Sequence, residues 1–133
     1  LEVHREVTEG GHGLPGAEEV AKAGWIQVAF PTRPIDDTLE RSCQRLGDGE
    51  RGAILLAKGL AADLVLLDER KARRIAEDAG LPIIGCLGVL ESAVRRGLVK
   101  DIRQTYMDLL HKGVRFDIRL LQDSLTRLGF RKL

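Results

Sequence analysis

The sequence predicts an α/β fold, a mainly parallel sheet with helices on both faces. Three observations carry this reading. Residues 64–67 form a continuous apolar run bounded by Asp63 and Asp68, as expected of a strand covered on both faces. Residues 81–84 repeat that pattern on a shorter scale. Helical patterns flank both, so the middle of the chain reads helix, strand, helix, strand, helix, the order that a parallel sheet with crossover helices requires.

Taken in order, residues 1–9 read as the end of a helix, with Val3 and Val7 apolar at i, i+4 and Gly10-Gly11 stopping it. Residues 10–16 are a loop, and Pro15 precedes a short helix over 17–23 that Gly24 closes. Residues 25–30 alternate apolar and β-branched side chains up to Pro31 and predict a strand, with a turn over 32–34. Asp36 or Asp37 caps a helix running to about Arg45, with Leu39, Cys43 and Leu46 on one face. Gly47-Asp48-Gly49 breaks it, and residues 50–60 form the next helix, with Ile54, Leu55 and Ala57 to bury. After the strand at 64–67, residues 69–79 are helical and Gly80 ends them. Beyond the strand at 81–84, helices over 88–96, 101–111 and 117–128 are closed by Gly97, Gly113 and Gly129.

The 133 residues suit one domain spanning 1–133, and 44% hydrophobic with 31% charged residues is the balance of a globular chain rather than a disordered one. The apolar runs are too short to span a bilayer and no basic-then-apolar signal segment opens the chain, so no membrane partner and a cytoplasmic location are expected. Cys43 and Cys86 lack a second Cys or His at metal-ligand spacing, which argues for two reduced thiols rather than a zinc site. His4, His12 and His111 show neither ligand nor triad spacing. The net charge of +1 does not by itself argue for nucleic acid, but from Arg95 to Lys132 ten basic side chains stand against four acidic ones. Such a run either attracts phosphate or, more commonly, is a solvated helical face.

Three acids could carry chemistry. Asp68 directly follows the apolar strand, and ligands in open α/β sheets bind beyond the carboxyl ends of strands. Its structural alternative is the N-cap of the following helix. Glu50 opens a helix after a Gly-Asp-Gly turn, where an acid also complements the helix dipole. Glu6 lies on the first helix, where it also reads as a surface charge. Clustered carboxylates hold Mg²⁺ or Mn²⁺ through oxygen ligands and retained waters, which suits phosphodiester hydrolysis. Arg70, Arg73 and Arg74 follow Asp68 and either reach phosphate oxygens or pair with Glu69 and Glu77 on the helix surface.

The stretch Gly49-Glu50-Arg51-Gly52-Ala53-Ile54-Leu55-Leu56-Ala57 is followed by Ala62-Asp63-Leu64-Val65-Leu66-Leu67-Asp68-Glu69-Arg70. Then come Arg74-Ile75-Ala76 and Gly80-Leu81-Pro82-Ile83-Ile84-Gly85-Cys86-Leu87-Gly88-Val89-Leu90. Together these resemble a prokaryotic family of PIN-domain-like nucleic-acid-binding proteins related to VapC-type toxins. The resemblance extends through Pro15-Gly16-Ala17-Glu18, Gly24-Trp25-Ile26 and Gly97-Leu98-Val99. It implies a three-layer fold in which acids at the carboxyl edge of a parallel sheet bind Mg²⁺ or Mn²⁺ and cleave RNA or, less often, DNA. Glu6 matches the acid of the family's early helix, Glu50 the acid of its Gly-Glu helix, and Asp68 the acid after its later strand. The family's first strand, which ends in Asp, has no counterpart in these residues, so that strand and one metal ligand are expected either to be absent or to be supplied by residues upstream of Leu1.

The resemblance therefore implies a metal-dependent endoribonuclease, the toxin of a pair with a protein antitoxin. The alternative is a catalytically silent module of the same fold that binds nucleic acid or protein. Leu109, Leu110, Leu120, Leu121, Leu125 and Leu128 crowd the last two helices, and surplus apolar area of this kind predicts a homodimer.

Overall fold

The computed structural model describes residues 1–11, 13–30 and 36–131. Pro31, the turn expected over 32–34, His12 and Lys132 lie outside the described residues. The chain divides into two compact units, Leu1–Ile84 and Gly85–Leu133.

The first unit opens with α1 (Glu2–Arg5), which runs into a π-helical stretch over Glu6–Gly10. It continues through α2 (Ala17–Lys22), α3 (Asp37–Cys43), α4 (Asp48–Leu60), β1 (Val65–Leu66), α5 (Arg70–Asp78) and β2 (Ile83–Ile84). The two strands are parallel, with Val65 opposite Ile83 and Leu66 opposite Ile84. The Val65 N–H donates to Pro82 O and the Leu67 N–H to Ile84 O, each at 2.9 Å. Side chains start the helices where the sequence offers them. Asp36 accepts from the Thr38 N–H at 2.9 Å, and Glu69 accepts from the Ala72 N–H at 2.7 Å. Gly16 has no side chain to cap α2, and Glu19 instead reaches back to the Gly16 N–H at 3.1 Å.

The core of this unit joins Leu39 and Cys43 of α3, Ile54, Leu55 and Ala57 of α4, Val65 and Leu67 at β1, Ala72 and Ala76 of α5, and Leu81. Ala72 and Ala76 are fully buried one helical turn apart, and their small side chains let α5 come close to the strands. Arg51 pairs with Glu40 at 2.9 Å across α3 and α4. Lys58 donates to the Ala79 carbonyl at 2.8 Å, satisfying an orphan acceptor at the end of α5.

Three sequence expectations are corrected here. Residues 26–30 form no ladder, and Trp25 is 84% exposed. Alternation assigns side chains to two faces, but a strand exists only where a neighbour receives its N–H and C=O groups. Among the described residues the sheet has two strands, β1 and β2. The second correction concerns the strand at 64–67. Val65 and Leu67 are buried, yet Leu64 and Leu66 are each 53% exposed, so one face only is covered. Four consecutive leucines and valines hide the alternation that would have shown this. Third, α4 begins at Asp48, so Gly49 lies inside the helix rather than breaking the chain before it.

The second unit holds α6 (Cys86–Arg95), α7 (Ile102–His111) and α8 (Ile118–Arg127). α6 starts two residues earlier than the sequence suggests, with Gly85 as its cap. Asp101 and Asp117 cap the other two, accepting from Gln104 N at 2.9 Å and Arg119 N at 2.8 Å. Gly97, Gly113 and Gly129 follow the three helices with positive φ, the conformation that a left-handed helix exit assigns to glycine. Ile102, Tyr106, Leu121 and Leu125 form the core, with Leu110 and Leu128 packed against it. Of the leucines that predicted a dimer, four therefore serve this core, and Leu120 stays 52% exposed.

Burial of Tyr106 and Ser124 is matched by a 2.6 Å hydrogen bond between their hydroxyls. Beside them, Glu91 receives Arg127 Nη2 at 2.6 Å and Nε at 3.2 Å. Burial alone would push the Glu91 carboxyl up, but hydrogen bonds from Arg127 and Ser124 and the charges of Arg127 and Arg95 outweigh it and hold the carboxyl below its ordinary value. No helix among the described residues is long and apolar enough to cross a membrane.

Candidate functional site

The first turn of α4 gathers two of the three predicted acids. Glu50 is the third residue of this helix, half-buried, and its side chain folds back over Gly47. A Cβ placed on Gly47 would lie 2.5 Å from Glu50 Oε2. Glu6 arrives from the first helical segment and sets its carboxylate on Gly49. A Cβ there would lie 2.7 Å from Glu6 Oε2 and 3.1 Å from Oε1. One turn away, Glu2 sits on Gly52 in the same manner, 2.7 Å from a Cβ at that position. The amino-terminal end of α4 carries partial positive charge, which favours carboxylates at this place.

Asp68 follows β1 and is exposed. The capping role open to it in the sequence falls to Glu69, whose carboxyl is held below its ordinary value by the N–H groups of Lys71 and Ala72. The residues on either side of Asp68 are fastened. Leu67 donates its N–H to Ile84, its carbonyl accepts from Arg73 Nη1 at 2.9 Å, and Glu69 holds the first turn of α5. Residues 61–64 connect α4 to β1. Asp68 stands at the carboxyl end of β1.

Arg70 and Arg74 are exposed on α5, whereas Arg73 is half-buried and commits one nitrogen to Leu67 O. In the second unit Arg96, Lys100, Lys112, Arg115 and Arg119 are exposed, while Arg127 is bound to Glu91. Cys43 is fully buried and burial pushes its thiol up; neither it nor Cys86 is in a disulfide.

A groove of about 830 Å³ lies in the first unit, walled by apolar side chains that include Val7, Ile26, Val28, Leu55 and Leu66. None of the three candidate acids lines it, whereas Glu2 and Asp48 do.

Carboxylates are the right donors for a hard divalent cation, and Mg²⁺ commonly uses one or two of them together with waters and substrate phosphate. Glu6 and Glu50 on the first turn of α4 fit that donor chemistry. No group of three or more His, Cys, Asp or Glu side chains is drawn together for metal binding among the described residues. Sequence reasoning missed Glu2, Gly49 and Gly52 as partners in this arrangement. The available signal was a pair of glycines three apart in an otherwise helix-forming stretch, where each costs about 1 kcal/mol relative to Ala and so calls for a packing reason.

No curated protein and no solved structure matches this chain. A family model described as a PIN domain does, across residues 1–129. With nearly the whole sequence inside that match, the chain belongs to the PIN-domain family, for which an α/β fold and nuclease-type function are the general expectation.

Proposed function

We propose that the protein is a metal-dependent ribonuclease, acting on RNA in preference to DNA, with Glu6, Glu50 and Asp68 as its working carboxylates. The observation that supports this reading is the seating of Glu6 and Glu50 on the first turn of α4, with Asp68 directly after β1. A bound Mg²⁺ or Mn²⁺ would lower the pKa of a water and offset charge on the scissile phosphate. The chain's own residues do the rest. Glu6 and Glu50 place carboxyl oxygens at the first turn of α4. Hydrogen bonds at Leu67 and Glu69 hold the segment that carries Asp68. Arg70 and Arg74 offer guanidinium groups to phosphate oxygens, and the exposed cations of the second unit attract the backbone of RNA without regard to sequence. The three-layer sheet, a role as the toxin of a toxin–antitoxin pair, and a homodimer belong to the same reading.

The test uses protein expressed from the whole open reading frame and labelled single-stranded RNA. Cleavage in Mn²⁺ that chelator stops and Asp68→Asn abolishes, with the fold intact by circular dichroism, is the expected result. Equal, chelator-insensitive cleavage by both proteins would remove the reading. A second reading, a catalytically silent module that binds nucleic acid or protein, is favoured by one observation: three acids are not drawn together among the described residues. RNA binding without cleavage in any divalent cation would select it.

A further inference from the structure

We infer that Gly49 is a positioning residue for this chemistry: its missing side chain is the seat that holds the Glu6 carboxylate at the first turn of α4. The inference rests on the nuclease reading and deepens it. Gly49 is buried inside a helix and does not adopt the positive φ that reserves a position for glycine. Backbone conformation therefore does not explain it, and a helical glycine costs about 1 kcal/mol relative to alanine. What explains it is space. Oε2 of Glu6 lies 2.7 Å from where a Cβ would stand, closer than a real contact allows, and Oε1 and the carboxyl carbon lie at 3.1 and 3.2 Å, tighter than most real contacts. Every other residue type would drive the carboxylate away. The displaced group is the far end of a flexible side chain, so alanine evicts it without forcing the backbone apart.

Gly52 supplies an internal control. It seats Glu2 by the same geometry, one helical turn further along, with Oε2 2.7 Å from the corresponding Cβ position. Alanine at either glycine should change folding alike, since both sit in α4 and each meets the end of a glutamate from the same neighbouring helix. Only Gly49 faces an acid placed in the site. A purely structural role predicts equal consequences at the two positions, and a positioning role predicts unequal ones.

The experiment compares wild type, Gly49→Ala, Gly52→Ala, Glu6→Gln and Gly49→Ala/Glu6→Gln, in protein from the whole open reading frame. Thermal unfolding, Mn²⁺ affinity by electron paramagnetic resonance of the free ion, and kcat and KM on labelled RNA are measured for each. Both alanine variants should unfold at or above the wild-type temperature. Gly49→Ala should weaken Mn²⁺ binding and lower kcat by about tenfold or more, the scale seen when support around a metal ligand is removed, with KM unchanged. Gly52→Ala should stay within about twofold of wild type, and Gly49→Ala should add nothing to Glu6→Gln, because the two remove one and the same interaction. Equal losses in the two alanine variants, or a further loss in the double variant, would overturn the inference while leaving the nuclease reading in place. If wild type does not cleave RNA, the nuclease reading falls and the Mn²⁺ comparison decides alone: weaker binding in Gly49→Ala only would uphold the seat, and unchanged binding would end it.

Discussion

Arg127→Met tests how the basic three-helix unit is held together. In the wild type Glu91 is nearly buried on α6, and Arg127 reaches it from α8 with bonds of 2.6 and 3.2 Å. Methionine keeps much of the apolar stem and removes the guanidinium. Losing one member of a fully buried pair costs about 3–5 kcal/mol, because the remaining charge is stranded. An exposed pair is worth roughly 0–1 kcal/mol. Here the acid is buried and the base is 53% exposed, so water can replace part of what is removed. An intermediate figure of about 2 kcal/mol follows, and for a chain of this length it lowers the melting temperature by roughly 8 °C at neutral pH. Acid should close the gap. Glu91 has its folded-state pKa depressed below its unfolded value, so its contribution is fully present above the unfolded value and is lost as pH falls through the folded one. Without Arg127, burial dominates and the carboxyl protonates earlier on acidification, which relieves the stranded charge. Thermal melts of wild type and variant at pH 7 and near pH 4 read this directly. Equal midpoints at pH 7, or a difference that widens on acidification, would refute the argument.

Three further outcomes are expected. RNA binding should weaken as salt rises, and Arg115→Ala/Arg119→Ala should flatten the log–log salt dependence by about 0.7 for each phosphate that is no longer neutralised, as measured by fluorescence anisotropy on single-stranded RNA; an unchanged slope would show that the α8 end of the second unit does not meet the backbone. Native protein should shield Cys43 from iodoacetamide at neutral pH until denaturant is added, since the thiol is buried and its ionisation suppressed; rapid native labelling of Cys43 by mass spectrometry would contradict its place in the core. Sedimentation at micromolar concentration should show a dimer, drawing on the half-exposed Leu64, Leu66 and Leu120, and a single monomeric boundary would count against it.

The helices were legible because their ends are written in local chemistry. Asp36 caps α3, one of the two positions the sequence offered, Asp101 and Asp117 cap the helices expected to begin at them, and Gly97, Gly113 and Gly129 follow the last three helices with positive φ. The parallel pairing of β1 with β2 was legible too, from two apolar runs on either side of a helical stretch. What failed depends on neighbours rather than on local pattern. Residues 25–30 carry a strand's alternation and no ladder, since nothing in a pattern supplies the second backbone. The run at 64–67 is apolar at every position, so it gave no sign that Leu64 and Leu66 face outward.

The site divides in the same way. Asp68 could be placed after a strand from local order alone, whereas the N-cap of α5 falls one residue later, on Glu69, which takes the Ala72 N–H. Glu6 and Glu50 are 44 positions apart along the chain; Glu50 is part of the first turn of α4, and Glu6 is seated there on Gly49, a glycine that the sequence offered as part of a break. Glycine and aspartate favour turns over helix interiors, so propensity alone favours the reversal. The choice reverses only when a second chain segment needs the vacant volume. Space left by an absent side chain is therefore the feature of this site that composition and periodicity are least able to report. It is also the feature that alanine at Gly49 and Gly52 probes most directly, since one added methyl changes the volume while leaving every charge on the chain as it was.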